Sequence, residues 1–187
     1  MRIIGLLVVS LLLIASFAIS GCAKSVPSEA QPEVNNMEFA ITSSAFADGA
    51  EMPVKYTDDG QNISPPLDWS RGPSGTASFA LIMDDLDAGN FTHWVVYNLS
   101  SDARGLPEAV PRDEKLDRRA LQGKNGGRAI GYFGPSPPKG SPHRYCFTLY
   151  ALNTSLDLAA GAYKEQVLQA MEGHILAQSQ LIGVYQR

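Results

Sequence analysis

Three carboxylates and two histidines stand where their side chains could act together on a small ligand. The segments Met83-Asp84-Asp85-Leu86-Asp87-Ala88, Phe91-Thr92-His93-Trp94 and Gly134-Pro135-Ser136-Pro137-Pro138-Lys139-Gly140-Ser141-Pro142-His143-Arg144-Tyr145 place acids and imidazoles beside turns rich in Pro, Gly or Asp. Such turns are where a scaffold holds polar groups over a pocket. His174 is the only other histidine. Imidazole changes charge near neutral pH, so a pair of them can donate to an anion or move a proton. A carboxylate that accepts from an imidazole N–H orients the ring and favours its charged form. Asp85 or Asp87 could play that part; equally, an Asp-rich turn can satisfy itself through Asx-type bonds to backbone N–H groups. One histidine at a strand mouth is ordinarily a structural hydrogen-bonder, and it is the second that points to a site.

Other chemistries fit the residues less well. Two histidines with carboxylates are a permissible metal set, but no His-x-His, His-x-x-x-His or Cys pair fixes one. Ser136 lacks the second glycine of a Gly-x-Ser-x-Gly elbow, and Pro137 and Pro138 prevent the helix that such an elbow opens. Cys146 lies in an apolar strand pattern and reads as a core residue.

The elements that must position these groups are mostly strands. β-branched and aromatic content predicts strands over Glu38 to Ile41, Ser78 to Met83, His93 to Leu99, Arg144 to Leu152 and Ile175 to Tyr185. Strand parity places His93 with Val95 and Tyr97, and His143 with Tyr145, while Arg144 faces away. In the fourth strand Tyr145, Phe147, Leu149 and Ala151 share one face. Tyr163, Val167 and Met171, four apart and followed by Gly173, predict a helix from about Tyr163 to Glu172. The charge run Arg112 to Arg119 alternates in sign and reads as a solvated loop or short helical turn.

The N-terminus reads as an export signal: Arg2, an apolar run from Ile3 to Ile19, then Ile19-Ser20-Gly21-Cys22. That ending resembles a bacterial lipobox, so residues 1–21 are expected to be removed and Cys22 to carry lipid. Residues 22–36 are polar, hold Pro27 and Pro32, and read as a flexible tether; residues 37–187 read as one domain. Formal charge is −4, and loss of Arg2 leaves 14 basic against 19 acidic residues, or −5. Without a basic stripe, nucleic acid and an anionic bilayer surface are poor electrostatic partners. Lipidation of Cys22 leaves Cys146 with no internal disulfide partner.

Taken in order, Ser64-Pro65-Pro66-Leu67-Asp68-Trp69, Leu81 to Ala88, Phe91 to Asn98, Gly131 to Pro138, His143 to Leu152, Gly173 to Ala177 and Gly183-Val184-Tyr185 resemble the phosphatidylethanolamine-binding protein family, most closely its bacterial branch similar to Raf kinase inhibitor protein. The resemblance spans essentially the whole domain. It implies a mainly β fold of two antiparallel sheets packed as a sandwich with a few peripheral helices. It also implies a small anion pocket lined by Asp85, Asp87, His93, Gly134, Pro138, His143 and Tyr145, accepting phosphate-like head groups. Imidazolium N–H groups and backbone N–H groups near Gly134 are suited to phosphate oxygens. Leu86 and Gly89 stand where the family usually has prolines.

The expectation is therefore an exported lipoprotein with a phosphate or phospholipid head-group pocket, needing no cofactor and acting as a binding or inhibitory module for a kinase or protease. The alternative is an acid/base enzyme, such as a hydrolase, using His93, His143 and Asp85. Ala23 follows the cysteine where Asp would retain a lipoprotein in the inner membrane. The outer membrane is expected in a two-membrane cell, and the outer face of the membrane otherwise.

Overall fold

The computed structural model describes residues 39–116 and 119–187. The export signal, Cys22 and the tether lie outside the described residues. Among the described residues the chain forms β1 (Ile41–Thr42), β2 (Leu67–Trp69), β3 (Ser78–Asp85), β4 (Phe91–Ser100), β5 (Gly105–Leu106), β6 (Leu121–Gln122), β7 (His143–Leu152), α1 (Lys164–Met171) and β8 (Ile175–Tyr185). These strands make two antiparallel sheets, one ordered β1-β2-β5 and the other β6-β4-β3-β7-β8. The fold class is the expected one, with a single α-helix and a one-turn 3-10 helix at Val54–Tyr56 among the described residues.

Central strands β3, β4 and β7 are apolar on both faces because both are covered. Phe79, Leu81, Met83, Trp94, Val96, Tyr145, Phe147 and Leu149 pack in one core with Ile41, Leu67, Trp69 and Leu106 of the small sheet. Ala80, Ile82, Val95 and Tyr97 pack on the other side with Val167 and Met171 of α1. This explains the continuous run Phe79-Ala80-Leu81-Ile82-Met83, which has no polar alternation. Each fully buried side chain of this size contributes about 1.5–3 kcal/mol relative to exposure.

Four strands differ in their bounds from the sequence reading. β1 occupies Ile41–Thr42, β3 continues to Asp85, β4 begins at Phe91 and β7 at His143. Asp84 and Asp85 are therefore strand residues, with cross-strand partners Cys146 and Tyr145. The helix is one residue shorter at each end, because Tyr163 is its N-cap and donates its N–H to Gln166 Oε1 at 2.9 Å. It ends before Gly173, whose φ of +75° favours a residue without Cβ. The described part of the Arg112–Arg119 run forms no helix. Cys146 is buried and unpaired, and burial pushes its thiol pKa up.

Candidate functional site

Asp85 at the end of β3, His93 near the start of β4, and His143 and Tyr145 at the start of β7 are brought together at one end of the large sheet. Simple alternation would send His93 outward with Val95 and Tyr97. Met83 pairs with Trp94 but Asp84 pairs with Thr92, so His93 is an extra residue in β4. This bulge turns the His93 ring to the Tyr145 side, with ring centroids 5.1 Å apart and planes at 89°. The expected grouping of His93 with Val95 and Tyr97 is thus overturned: those two pack toward α1. A bulge re-aims one side chain without changing the strand on either side of it.

Both imidazoles are fixed through Nδ1. His93 Nδ1–H donates to the Phe133 carbonyl at 2.6 Å, and the ring stacks on Phe133 at 5.6 Å and meets Phe91 edge-on at 5.1 Å. His143 Nδ1 bonds Asp85 Oδ2 at 2.8 Å. Neither Nε2 has a hydrogen-bond partner among the described residues. His93 is 3 % exposed, and burial, the main cause, lowers its pKa. The Phe133 carbonyl and the charges of Asp85 and Asp84 oppose that shift. Asp85, also 3 % exposed, has its other oxygen occupied by the Asp87 N–H at 2.9 Å.

The Tyr145 hydroxyl is the one sealed side-chain oxygen or nitrogen without a hydrogen bond among the described residues. Burial first, then Asp85, raises its pKa, so it stays protonated. Asp85 and the backbone of Ser136 act on it electrostatically, but neither meets hydrogen-bond geometry with it. A buried hydroxyl left so is unusual.

Other members of the predicted set do different work. Asp87 does not reach an imidazole; its carboxylate accepts from Arg144 N (2.8 Å), Nε (3.0 Å) and Nη2 (2.8 Å). These bonds hold the Asp87 pKa down at about 2. Gly134 donates its N–H to Asn62 Oδ1 at 2.8 Å, and a Cβ there would lie 2.8 Å from Asp58 N and Thr57 C. Its glycine is explained by close packing on the 56–58 backbone, and its N–H is not free for a phosphate. Pro138 is exposed on the same loop. Asp84 faces α1, bonded to Thr92 Oγ1 at 2.9 Å and Lys164 Nζ at 2.8 Å.

Phe91 and Phe133 pack in the cluster, and Asn62 and Arg144 brace the segments around it, but none was picked out from the sequence as a site residue. Phe91 and Phe133 fall inside the quoted motifs, which was the available signal; nothing local marked Asn62, 72 residues from the Gly134 it binds. Among the described residues no group of three His, Cys, Asp or Glu side chains could hold a metal ion. A cleft of about 1000 Å³ opens at the far end of β3 and β4, lined by Ser78, Leu99, Leu106, Val110 and Lys115, and contains no histidine.

The model of the phosphatidylethanolamine-binding protein family matches residues 42–186. The chain belongs to that family. It is 50 % identical over 149 residues to a UPF0098 protein of Methanothermobacter thermautotrophicus, covering 79 % of this chain and 98 % of that one. It also resembles a solved family homologue from Chlamydia trachomatis, at 40 % identity and TM-score 0.72, covering 80 % of this chain and 97 % of that one. YbcL of E. coli, described as a member of the mammalian family, matches at 32 % identity and TM-score 0.74, with 80 % and 99 % coverage. The bacterial branch is thereby supported, and the matched length includes every residue of the histidine cluster.

Proposed function

We propose that the histidine cluster binds a phosphate group, free or as the head group of a small molecule or phospholipid, and that the protein acts as a ligand-binding module. The observation that carries this reading is the pairing of two imidazoles whose Nδ1 atoms are both tied down, to Phe133 O and Asp85 Oδ2, while neither Nε2 has a partner among the described residues. Once a ring takes its second proton, its Nε2–H becomes a fixed donor to tetrahedral oxygens, and each such charge-assisted bond contributes about 1.5–3 kcal/mol. Titration calorimetry with inorganic phosphate tests it. Wild type should bind, and His93→Ala and His143→Ala should each lose about ten- to a hundredfold in affinity. Failure of the folded wild type to bind, or binding by both variants as tight as that of wild type, would sink the assignment.

A second reading rests on the Asp85–His143 pair, which is also the arrangement of a carboxylate-oriented general base. No hydroxyl nucleophile accompanies it among the predicted candidates, since Ser136 Oγ donates to Asp58 Oδ2 at 3.2 Å. Steady release of phosphate from a phosphomonoester, lost in His143→Ala, would favour this enzyme over a binder.

The inhibitory role and the envelope location belong to the same proposal. Cys22 is the lipidated attachment, resting on the small-small-Cys ending and the polar stretch after it. Among the described residues no helix is long and apolar enough to cross a membrane. Cys22→Ser should leave the signal unprocessed; unchanged maturation and membrane fractionation of that variant would remove the lipoprotein reading. An inhibited kinase or protease would be recognised through surface loops, which fold-level likeness does not identify.

A further inference from the structure

The geometry points to Arg144 as a positioning residue for His143, acting through Asp87 and Asp85; this rests on the phosphate-pocket reading only for its effect on affinity. Strand parity turns His143 into the cluster and Arg144 out of it, yet the two are joined by a closed ring of bonds. Leu86 N–H donates to the Arg144 carbonyl at 2.9 Å, and Arg144 N–H donates to Asp87 Oδ2 at 2.8 Å. The Arg144 guanidinium holds both Asp87 oxygens, the Asp87 N–H holds Asp85 Oδ1, and Asp85 Oδ2 holds His143 Nδ1. Each step is a bond of 2.8–3.0 Å.

The turn needs this support. Residues 87–90 are exposed, no proline stands between Leu86 and Asn90, and Gly89 and Asn90 take φ of +62° and +59°. No ring constrains this backbone, so its link to β7 runs through Arg144. A guanidinium fork with an adjacent backbone N–H can hold one carboxylate at three points. An ammonium offers a single point charge on a flexible stem. The low pKa of Asp87 agrees with a carboxylate that stays ionised and clamped.

A merely structural surface ion pair predicts something else. The Arg144 side chain is 56 % exposed, and exposed pairs contribute little to stability. The test therefore reads the His143 ring: long-range ¹H–¹⁵N spectra of the full chain, histidine-labelled and ligand-free, report which nitrogen of the neutral ring carries the proton. Arg144→Gln should shift His143 away from the Nδ1–H tautomer, leave that of His93 unchanged, and lower phosphate affinity about tenfold, the lower end of what outer-shell partners of a binding histidine control. Arg144→Lys should restore the tautomer in part. Should Arg144→Gln fail to fold, Asp87→Asn, which keeps the side-chain shape, should shift the same tautomer. A His143 tautomer unchanged in the folded variants overturns the inference. If the tautomer responds but wild type does not bind phosphate, the positioning role stands and the ligand reading falls.

Discussion

Asp84 and Asp85 are chemically identical neighbours on β3, and the pleat sends them to opposite faces of the same sheet. On the α1 face, Asp84 meets Lys164 Nζ and Thr92 Oγ1, with the Asp84 and Lys164 side chains each 17 % exposed. On the inner face, Asp85 meets His143 Nδ1 and the Asp87 N–H. The first carboxylate is tied to an ammonium and a hydroxyl. The second is tied to an imidazole whose other nitrogen has no hydrogen-bond partner among the described residues. One arrangement is a static tie between sheet and helix; the other can respond to a ligand. A cluster of aspartates is thus informative only once each member's face and partner are known.

The largest effect should come from exchanging the two acids' roles in a binding assay. Asp85→Asn removes the carboxylate that orients His143, and phosphate affinity should fall about ten- to a hundredfold. Asp84→Asn, one residue away on the other face, should change it far less, since its carboxylate bonds Thr92 and Lys164 and reaches His93 only through its charge. Calorimetry on both variants decides the matter, and equal losses would mean that the two faces are not functionally distinct.

Stability should divide the other way. Lys164→Met leaves the Asp84 charge in a partly buried position with only Thr92 to support it, at a cost of about 1–3 kcal/mol in unfolding free energy by denaturant titration. Adding Asp84→Asn to it should recover part of that loss, because the stranded charge is gone. Phosphate affinity should hold in both. A Lys164→Met protein as stable as wild type would show that the pair is a crossing of side chains without energetic weight.

Much of this arrangement was legible in the chain. The apolar runs at Phe79–Met83 and Trp94–Tyr97 marked the central strands, and the Tyr145, Phe147, Leu149, Ala151 face lies in the inter-sheet core as its parity required. The His143–Tyr145 and Arg144 sidedness also followed from alternation. What alternation could not yield was the bulge at His93, because one extra residue leaves no mark in local composition yet moves the side chain across the sheet. The two- and three-residue strands β2, β5 and β6 lie among Pro, Gly and charged residues, and they are strands only because a partner is present. The resemblance placed Gly134 in the pocket for its backbone N–H, but the physical reason for the glycine is packing against Thr57 and Asp58 and its bond to Asn62, long-range contacts that no motif spells out.

The smallest expected effect concerns pH, and it sharpens the contrast from the His93 side. Burial lowers the folded-state pKa of His93, while the unfolded ring takes its proton near the ordinary value of about 6.5. Between the folded and unfolded values the unfolded chain binds more protons, so stability falls as pH drops through about 6.5 toward the lower folded value. Above that window His93 contributes no pH dependence. Urea midpoints at pH 7.5 and 5.5 should therefore separate more in wild type than in His93→Gln, with every other titrating group common to both proteins. An anion on Nε2 favours the protonated ring and should offset this loss. Sulfate, whose charge is constant over the range, should thus protect wild type more at pH 5.5 than at 7.5 and protect His93→Gln little at either. Protection equal at both pH values, or equal in both proteins, would separate the anion from the His93 imidazole and leave the inner face, like the outer, a structural network.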